Sequence, residues 1–277
     1  MNKLEQSRNI FEEAIALHNP QTIILGLSGG SDSLATYYVA KALGIKIDYI
    51  LHCWTRTGIE ETTHFVRNFA QAEGIPYLEA DAGTSYEDYV MRKGFFGKGN
   101  DAHKFAYHIL KKQHLFKSIS GVRQRRRNFK VLILNGARIE ESANRALKFG
   151  DRYWQVDSSA KSNIWLNLIH YWTKQECTDF LAESKAKINP VSRELCRSGE
   201  CMCGTMQSHQ ERAEAAVIFP EWGKQMDALE VRVKERFPWG WGETVPKSWQ
   251  AEKHGQLRLF GDDFQPMCSS CVLNSKT

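Results

Sequence analysis

The chain has 277 residues, of which 42% are apolar, 25% charged and 11% aromatic, a balance that excludes a disordered or fibrous protein and suffices for a sizeable core. Its 37 basic and 32 acidic side chains leave a net charge of +5, a mild excess that fits an anionic ligand without requiring nucleic acid. No apolar run approaches the ~20 residues that span a bilayer, and the polar opening MNKLEQSRNIFEEA lacks a signal peptide's apolar stretch, so a cytoplasmic protein with no membrane partner is expected.

An amphipathic helix carries Leu4, Phe11 and Ile15 on one face and stops at Pro20. Thr22–Leu27 is continuously apolar, as a buried parallel strand is. Ser28–Ser33 interrupts it, and a helix from Leu34 to Leu43 ends at Gly44. A second strand, Ile45–His52, completes a βαβ unit. A helix near Glu60–Glu73, a strand at Pro76–Glu79, helical segments to Lys117 and a strand at Val131–Leu134 repeat the alternation. Tyr153–Val156 is a further short strand and Thr173–Ser184 a further helix. This order predicts an α/β fold, a doubly wound and mostly parallel sheet. Residues 1–190 form that domain. Residues 191–277, with helices at Gln210–Phe219 and Met226–Arg236, form a cysteine-rich appendage packed on the sheet.

Ser28-Gly-Gly-Ser-Asp-Ser33 lies between a buried strand and a helix, which offers backbone N–H groups and a helix N-terminus to an anion. Gly29 and Gly30 have no Cβ to hold phosphate off, and the hydroxyls of Ser28, Ser31 and Ser33 add donors. Asp32 would repel a bare phosphate, which leaves it to hold Mg²⁺ or cap the helix. A plain serine-capped turn is the structural alternative. Arg138, just beyond the strand at 131–134, sits where ligands bind in open parallel sheets and where arginine grips phosphate or sulfate bidentately. A salt bridge to Glu140 or Glu141 is its alternative use. Arg145 would join it along the next helix, and His52 would border the adenine or ribose unless it is a core histidine.

The SGGSDS loop resembles the PP-loop of the ATP pyrophosphatases, with Ser31 where many of them carry lysine. Thr57-Gly-Ile-Glu-Glu-Thr62 followed by Phe65, then Asn135-Gly136-Ala-Arg138-Ile-Glu-Glu-Ser142 with Arg145, resemble two segments of the phosphoadenylylsulfate (PAPS) reductase-like branch. Ile164-Trp165…Trp172-Thr173 and Asn189-Pro190 are similar to two more, the first leading to a helix start. The matches keep family order over about residues 20–205. The resemblance implies ATP as cofactor with Mg²⁺, held by Ser28 to Ser33, His52, Gly136, Arg138 and Arg145, with Asp32, Ser33 and Arg138 acting in catalysis.

Five of seven cysteines fall in two groups, Cys196-x4-Cys201-x-Cys203 and Cys268-x2-Cys271. Thiolates so close converge on one soft metal or cluster, in a compartment where disulfides are not expected. A Cys₄ zinc site is compatible with the spacing. The resemblance favours an iron–sulfur cluster, [4Fe–4S]; the cysteine spacing here departs from that of the reductases, and the close pairs Cys201/Cys203 and Cys268/Cys271 are the expected ligands, with Cys196 as substitute. Its closest character is that of the iron–sulfur ATP pyrophosphatase of DNA phosphorothioation systems. Reductases of the branch use a mobile E-C-G-type cysteine segment, a motif that does not occur in these 277 residues.

Residues 111–130 carry eight lysines and arginines and no acid: Lys111, Lys112, Lys117, Arg123, Arg125, Arg126, Arg127 and Lys130. A like-charged loop beside an ATP site calls for a polyanion, here nucleic acid and first of all DNA, or else serves ATP or solvent. The leading expectation is an ATP pyrophosphatase that adenylates a nucleic-acid group for sulfur insertion, most plausibly DNA phosphorothioation, with sulfur from a donor such as a cysteine desulfurase. A PAPS or adenylylsulfate reductase of sulfate assimilation is the second expectation. An inactive nucleotide-binding subunit is the third.

Overall fold

A computed structural model describes residues 2–124, 126, 128–141 and 152–253. Helix α1 (Lys3–His18) leads to β1 (Thr22–Gly26), α2 (Ser31–Ala42), β2 (Tyr49–Trp54), α3 (Glu60–Ala72) and β3 (Tyr77–Asp81). Helices α4 (Ser85–Lys93) and α5 (Asn100–Tyr107), a π-helical turn (His108–Lys112) and α6 (Gln113–Arg123) connect to β4 (Val131–Asn135). Then come β5 (Trp154–Val156), β6 (Asn163–Asn167), α7 (Lys174–Glu183), α8 (Pro190–Leu195), α9 (His209–Ile218), α10 (Pro220–Lys234) and α11 (Lys247–Lys253).

The strands form one sheet in the order β3-β2-β1-β4-β6-β5. All neighbours are parallel except β5, which runs antiparallel on the edge beside β6. The order reverses between β1 and β4, and such a reversal opens a crevice beyond the carboxyl ends of the two strands. The expected α/β sheet is therefore present, with three local differences. Strand β2 begins at Tyr49 rather than Ile45, because Asp48 turns inward to accept hydrogen bonds from Thr22 Oγ1 (3.0 Å) and the Ile23 amide (2.9 Å). Helix α2 begins at Ser31, so Asp32 and Ser33 stand in its first turn. Ile164 and Trp165 belong to β6, whose apolar run is cut short by Asn163 and Asn167 at its two ends, while the helix start lies at Thr173.

The sheet is covered on both faces. One face packs Leu25, Leu132 and Leu166 against α1, α2, α3 and α7; the other buries Ile24, Leu51, Val131 and Ile133 under α6. A separate core joins the two halves of the sequence. Tyr86, Tyr89, Phe95, Phe96 and Leu110 from the β3–β4 connection pack with Trp222, Met226, Trp239 and Trp241 from beyond residue 190. Position 190 divides the composition of the chain but not this core.

Candidate active site

The loop after β1 is shaped by its own serines. Ser33 Oγ donates to the Gly30 carbonyl (2.9 Å) and accepts from the Ser28 amide (3.2 Å), while Ser28 Oγ accepts from the Gly30 amide (3.3 Å). Gly29 has φ +80°, and a Cβ there would lie 2.8 Å from the Thr62 side chain, so no other residue fits without strain. Gly30 has an ordinary φ of −82° and serves as the N-cap of α2. No α2 side chain caps the helix, which leaves first-turn amides directed at the crevice.

A cavity of about 810 Å³ opens on this loop. Ser28, Gly30, Ser31, Asp32, Ser33 and Gly136 line its phosphate-loop wall, and Leu51, Cys53 and Ile133 supply an apolar floor. Gly136 packs on the loop so closely that a Cβ would meet the Asp32 carbonyl at 2.8 Å. Asp32 is held by two cations. Arg138, only 7% exposed, places NH2 3.0 Å and Nε 3.1 Å from Oδ2, and Lys174 Nζ lies 2.8 Å from Oδ1. Lys174 also donates to Ser31 Oγ. The Arg138 amide donates to Glu141 (3.0 Å), so this arginine engages Asp32 with its guanidinium and Glu141 with its backbone.

His52 stands apart from the cavity. It is fully buried, with Nδ1 donating to the Leu27 carbonyl (2.8 Å) and Nε2 facing Thr63 Oγ1 (3.2 Å). Burial pulls its pKa below the ordinary histidine value, so it is a neutral strut between β1, β2 and α3 rather than a border of the nucleotide site. Arg145, Cys268 and Cys271 lie outside the described residues.

The Thr57–Thr62 segment has a role that its sequence does not announce. It docks the cysteine segment beside the phosphate loop. Thr55 Oγ1 donates to the Glu200 carbonyl (2.7 Å), Thr62 Oγ1 to the Ser198 carbonyl (2.5 Å), and the Ile59 amide to the Gly199 carbonyl (2.8 Å). The Met202 amide returns a bond to Thr57 Oγ1 (3.2 Å). Asn189, fully buried, ties the parts together: Nδ2 donates to the Gly29 carbonyl (3.0 Å) and Thr62 Oγ1 (3.1 Å), and Oδ1 caps α8 through the Val191 amide (3.2 Å). The Asn-Pro start of α8 was the visible signal. Its partners, more than a hundred residues away, were not.

That docking brings thiols toward the cavity. Cys196, the exposed C-cap of α8, lines it together with Arg197, Ser198 and Glu200. Cys201 and the buried Cys203 follow directly. The two thiols act on each other, which pushes Cys201 above and draws Cys203 below the usual thiol pKa. Lys111 pairs with Glu200 at 3.0 Å. Burial opposes its charge, but Glu200 outweighs that and holds the ammonium above its ordinary value. Lys111 and Lys112 enter the cavity wall from the π-helical turn. Among the described residues no three His, Cys, Asp or Glu side chains converge on a point that could hold a metal.

The basic stretch divides between the two edges of the sheet. Lys111 and Lys112 reach the cavity. Arg123 ends α6, Arg126 folds over the Phe129 ring at 4.1 Å, and the Lys130 carbonyl accepts from the Gln21 amide just before β1. These three therefore lie at the amino edge of the sheet, and the loop is not beside the phosphate loop as its charge had suggested. Arg125 and Arg127 lie outside the described residues. No described helix is long and apolar enough to cross a membrane.

Among solved structures, the chain resembles a PAPS reductase from Candida auris in its phosphate complex, with 12% identity, TM-score 0.46, and coverage of 68% of this chain and 83% of that one. It also resembles the NMN synthetase of Francisella tularensis (9%, TM-score 0.44, 83% and 96% covered). A third likeness is to the U34-tRNA thiolase NcsA of Methanococcus maripaludis, solved with its [4Fe-4S] cluster (14%, TM-score 0.44, 94% and 89% covered). No curated protein matches the chain. Residues 22–206 match the phosphoadenosine phosphosulfate reductase domain, a span from the first residue of β1 to just past the Cys201–Cys203 pair. The chain belongs to the phosphoadenosine phosphosulfate reductase domain family.

Proposed function

We propose that this protein is an ATP pyrophosphatase that activates an acceptor oxygen for replacement by sulfur. One observation carries the reading: the phosphate loop and the Cys196–Glu200 segment are walls of the same cavity, so an adenylated group and a sulfur-bearing thiol would meet there without a domain movement. The acceptor oxygen attacks the α-phosphorus of ATP, the α–β bond breaks and pyrophosphate leaves. A sulfur nucleophile then displaces AMP. Loop amides and Ser33 hold the phosphates, Asp32 holds Mg²⁺, and Arg138 offsets charge on the leaving pyrophosphate. Nucleic acid, first of all DNA as in phosphorothioation, is the proposed acceptor, and a cysteine desulfurase the proposed sulfur source. Cys201 and Cys203 with Cys268 and Cys271 would hold an iron–sulfur cluster, whose chemistry is that of sulfur or electron delivery.

The exposed Cys196 thiol in the cavity favours one second reading, thiol attack on a sulfonucleotide to release a nucleotide, as in sulfate assimilation. Product analysis separates the two. Anaerobically prepared protein should convert ATP to AMP and pyrophosphate and carry about four irons per chain. Nucleosides and linked dinucleotides from cells with the gene should contain a sulfur modification that cells without it lack. Sulfite released from adenylylsulfate or PAPS when a dithiol reductant is supplied to displace it from the S-sulfonated cysteine, with no pyrophosphate from ATP, would establish the second reading instead.

A further inference from the structure

We propose that Lys174 supplies, from the opposite end of the domain, the phosphate-binding cation that the loop itself does not carry. The inference rests on the nucleotide reading above and deepens it at one position. Ser31 is the first residue of α2, and the space beside its short hydroxyl belongs to the cavity that it lines. Lys174 Nζ occupies that space: it donates to Ser31 Oγ and stands 2.8 Å from Asp32 Oδ1. Its side chain lines the same cavity as the loop.

The placement is built rather than incidental. Lys174 is the first residue of α7, whose N-terminus is fixed by a reciprocal capping box: Thr173 Oγ1 accepts from the Glu176 amide (3.1 Å), and Glu176 accepts from the Thr173 amide (2.7 Å). Glu176 is held further by Lys3 at 3.1 Å. The buried Cys177 and Leu181 seat α7 in the same core as α2. The ammonium therefore reaches the loop from a rigid helix start.

A purely structural ion pair is the competing use, and two features weigh against it. Asp32 already accepts a hydrogen bond from Nε of the buried Arg138 and is paired with its guanidinium, so it does not need a second cation to balance its charge. The Lys174 side chain remains 57% exposed, and an ion pair so open to water adds at most about 1 kcal/mol to stability. A phosphate entering over the α2 amides would instead meet an ammonium already in position.

Binding of magnesium pyrophosphate and of Mg·ATP, measured by calorimetry on the intact chain, tests this. Lys174→Gln should weaken both about tenfold or more, as loss of a charge-assisted bond does, while its melting temperature in the absence of ligand stays within about 3 °C. Lys174→Arg should retain most of the affinity. The double variant Ser31→Lys/Lys174→Gln should recover it, because the cation returns to the same place from the loop side. Wild-type pyrophosphate affinity in Lys174→Gln, or no recovery in the double variant, would overturn the proposal. If wild type binds pyrophosphate but not ATP, and the series behaves as stated, the lysine's role stands and the ATP reading falls. If it binds neither, both fall.

Discussion

At the scale of single residues, Asn189 shows how much of the site hangs on one buried amide. It carries two donated bonds and a helix cap, and it joins the phosphate loop, the start of α3 and α8. Asn189→Ala leaves the Gly29 carbonyl and the Val191 amide without those partners in a dry environment, which costs about 2–3 kcal/mol. For a chain of this size that is a fall in melting temperature of roughly 5–10 °C. Nucleotide affinity should drop with it, since Gly29 loses its anchor. A melting temperature within a degree of wild type would contradict this account of the loop. The turn between β1 and α2 was legible from sequence, because its glycines and serines act on their own immediate backbone. His52 was legible only as an alternative, because nothing local says that the Leu27 carbonyl accepts its Nδ1–H hydrogen bond. Lys174 was invisible as a loop partner, since 142 residues separate it from Asp32.

At the scale of elements, the rim of β2 and β3 has its own electrostatics. Trp54 lies beneath Arg56 (3.2 Å from the ring centroid) and near Arg67 (4.6 Å). Asp81 receives two hydrogen bonds from Arg56, and Glu79 two from Arg67 and one from Tyr77. The Arg56 bonds hold Asp81 below its ordinary pKa. Burial works against ionisation of Glu79, but Arg67 and Tyr77 outweigh it and hold it low as well. Carboxylates depressed in the folded state stabilise it above their unfolded pKa, and that stabilisation is lost as pH falls through the folded value. A Glu79→Gln/Asp81→Asn variant should thus be less stable than wild type at pH 7. With these side chains a fifth to two-fifths exposed, the gap should be no more than about 1 kcal/mol per pair. It should close as pH drops below about 4, read as converging urea midpoints. A gap that widened in acid would reverse the sign and the assignment. The strands and helices here were legible from their apolar runs. The docking role of Thr55–Thr62 was not, because hydrogen bonds to Ser198, Gly199 and Glu200 leave no periodic trace in either segment.

At the scale of the whole molecule, the sheet separates two anion-attracting regions that the sequence runs together. Lys111 and Lys112 belong to the cavity, whereas Arg123, Arg126 and Lys130 precede β4 at the amino edge. The five residues of β4 put about 16 Å of strand between them and the carboxyl edge. At physiological salt that exceeds the Debye length of about 8 Å, so the amino-edge charges act on the cavity only weakly. Arg123→Gln/Arg126→Gln should accordingly leave Mg·ATP affinity within about twofold of wild type, a shift under 0.5 kcal/mol. If a nucleic acid also rests on the amino edge, the same variant should flatten the slope of log affinity for duplex DNA against log salt by up to about two units, one for each phosphate no longer neutralised. DNA held only at the cavity mouth would instead lose slope in Lys112→Gln and keep it in the arginine variant. An arginine variant that loses ATP binding would mean that the two edges communicate through the sheet, and the separation argued from strand length would be wrong.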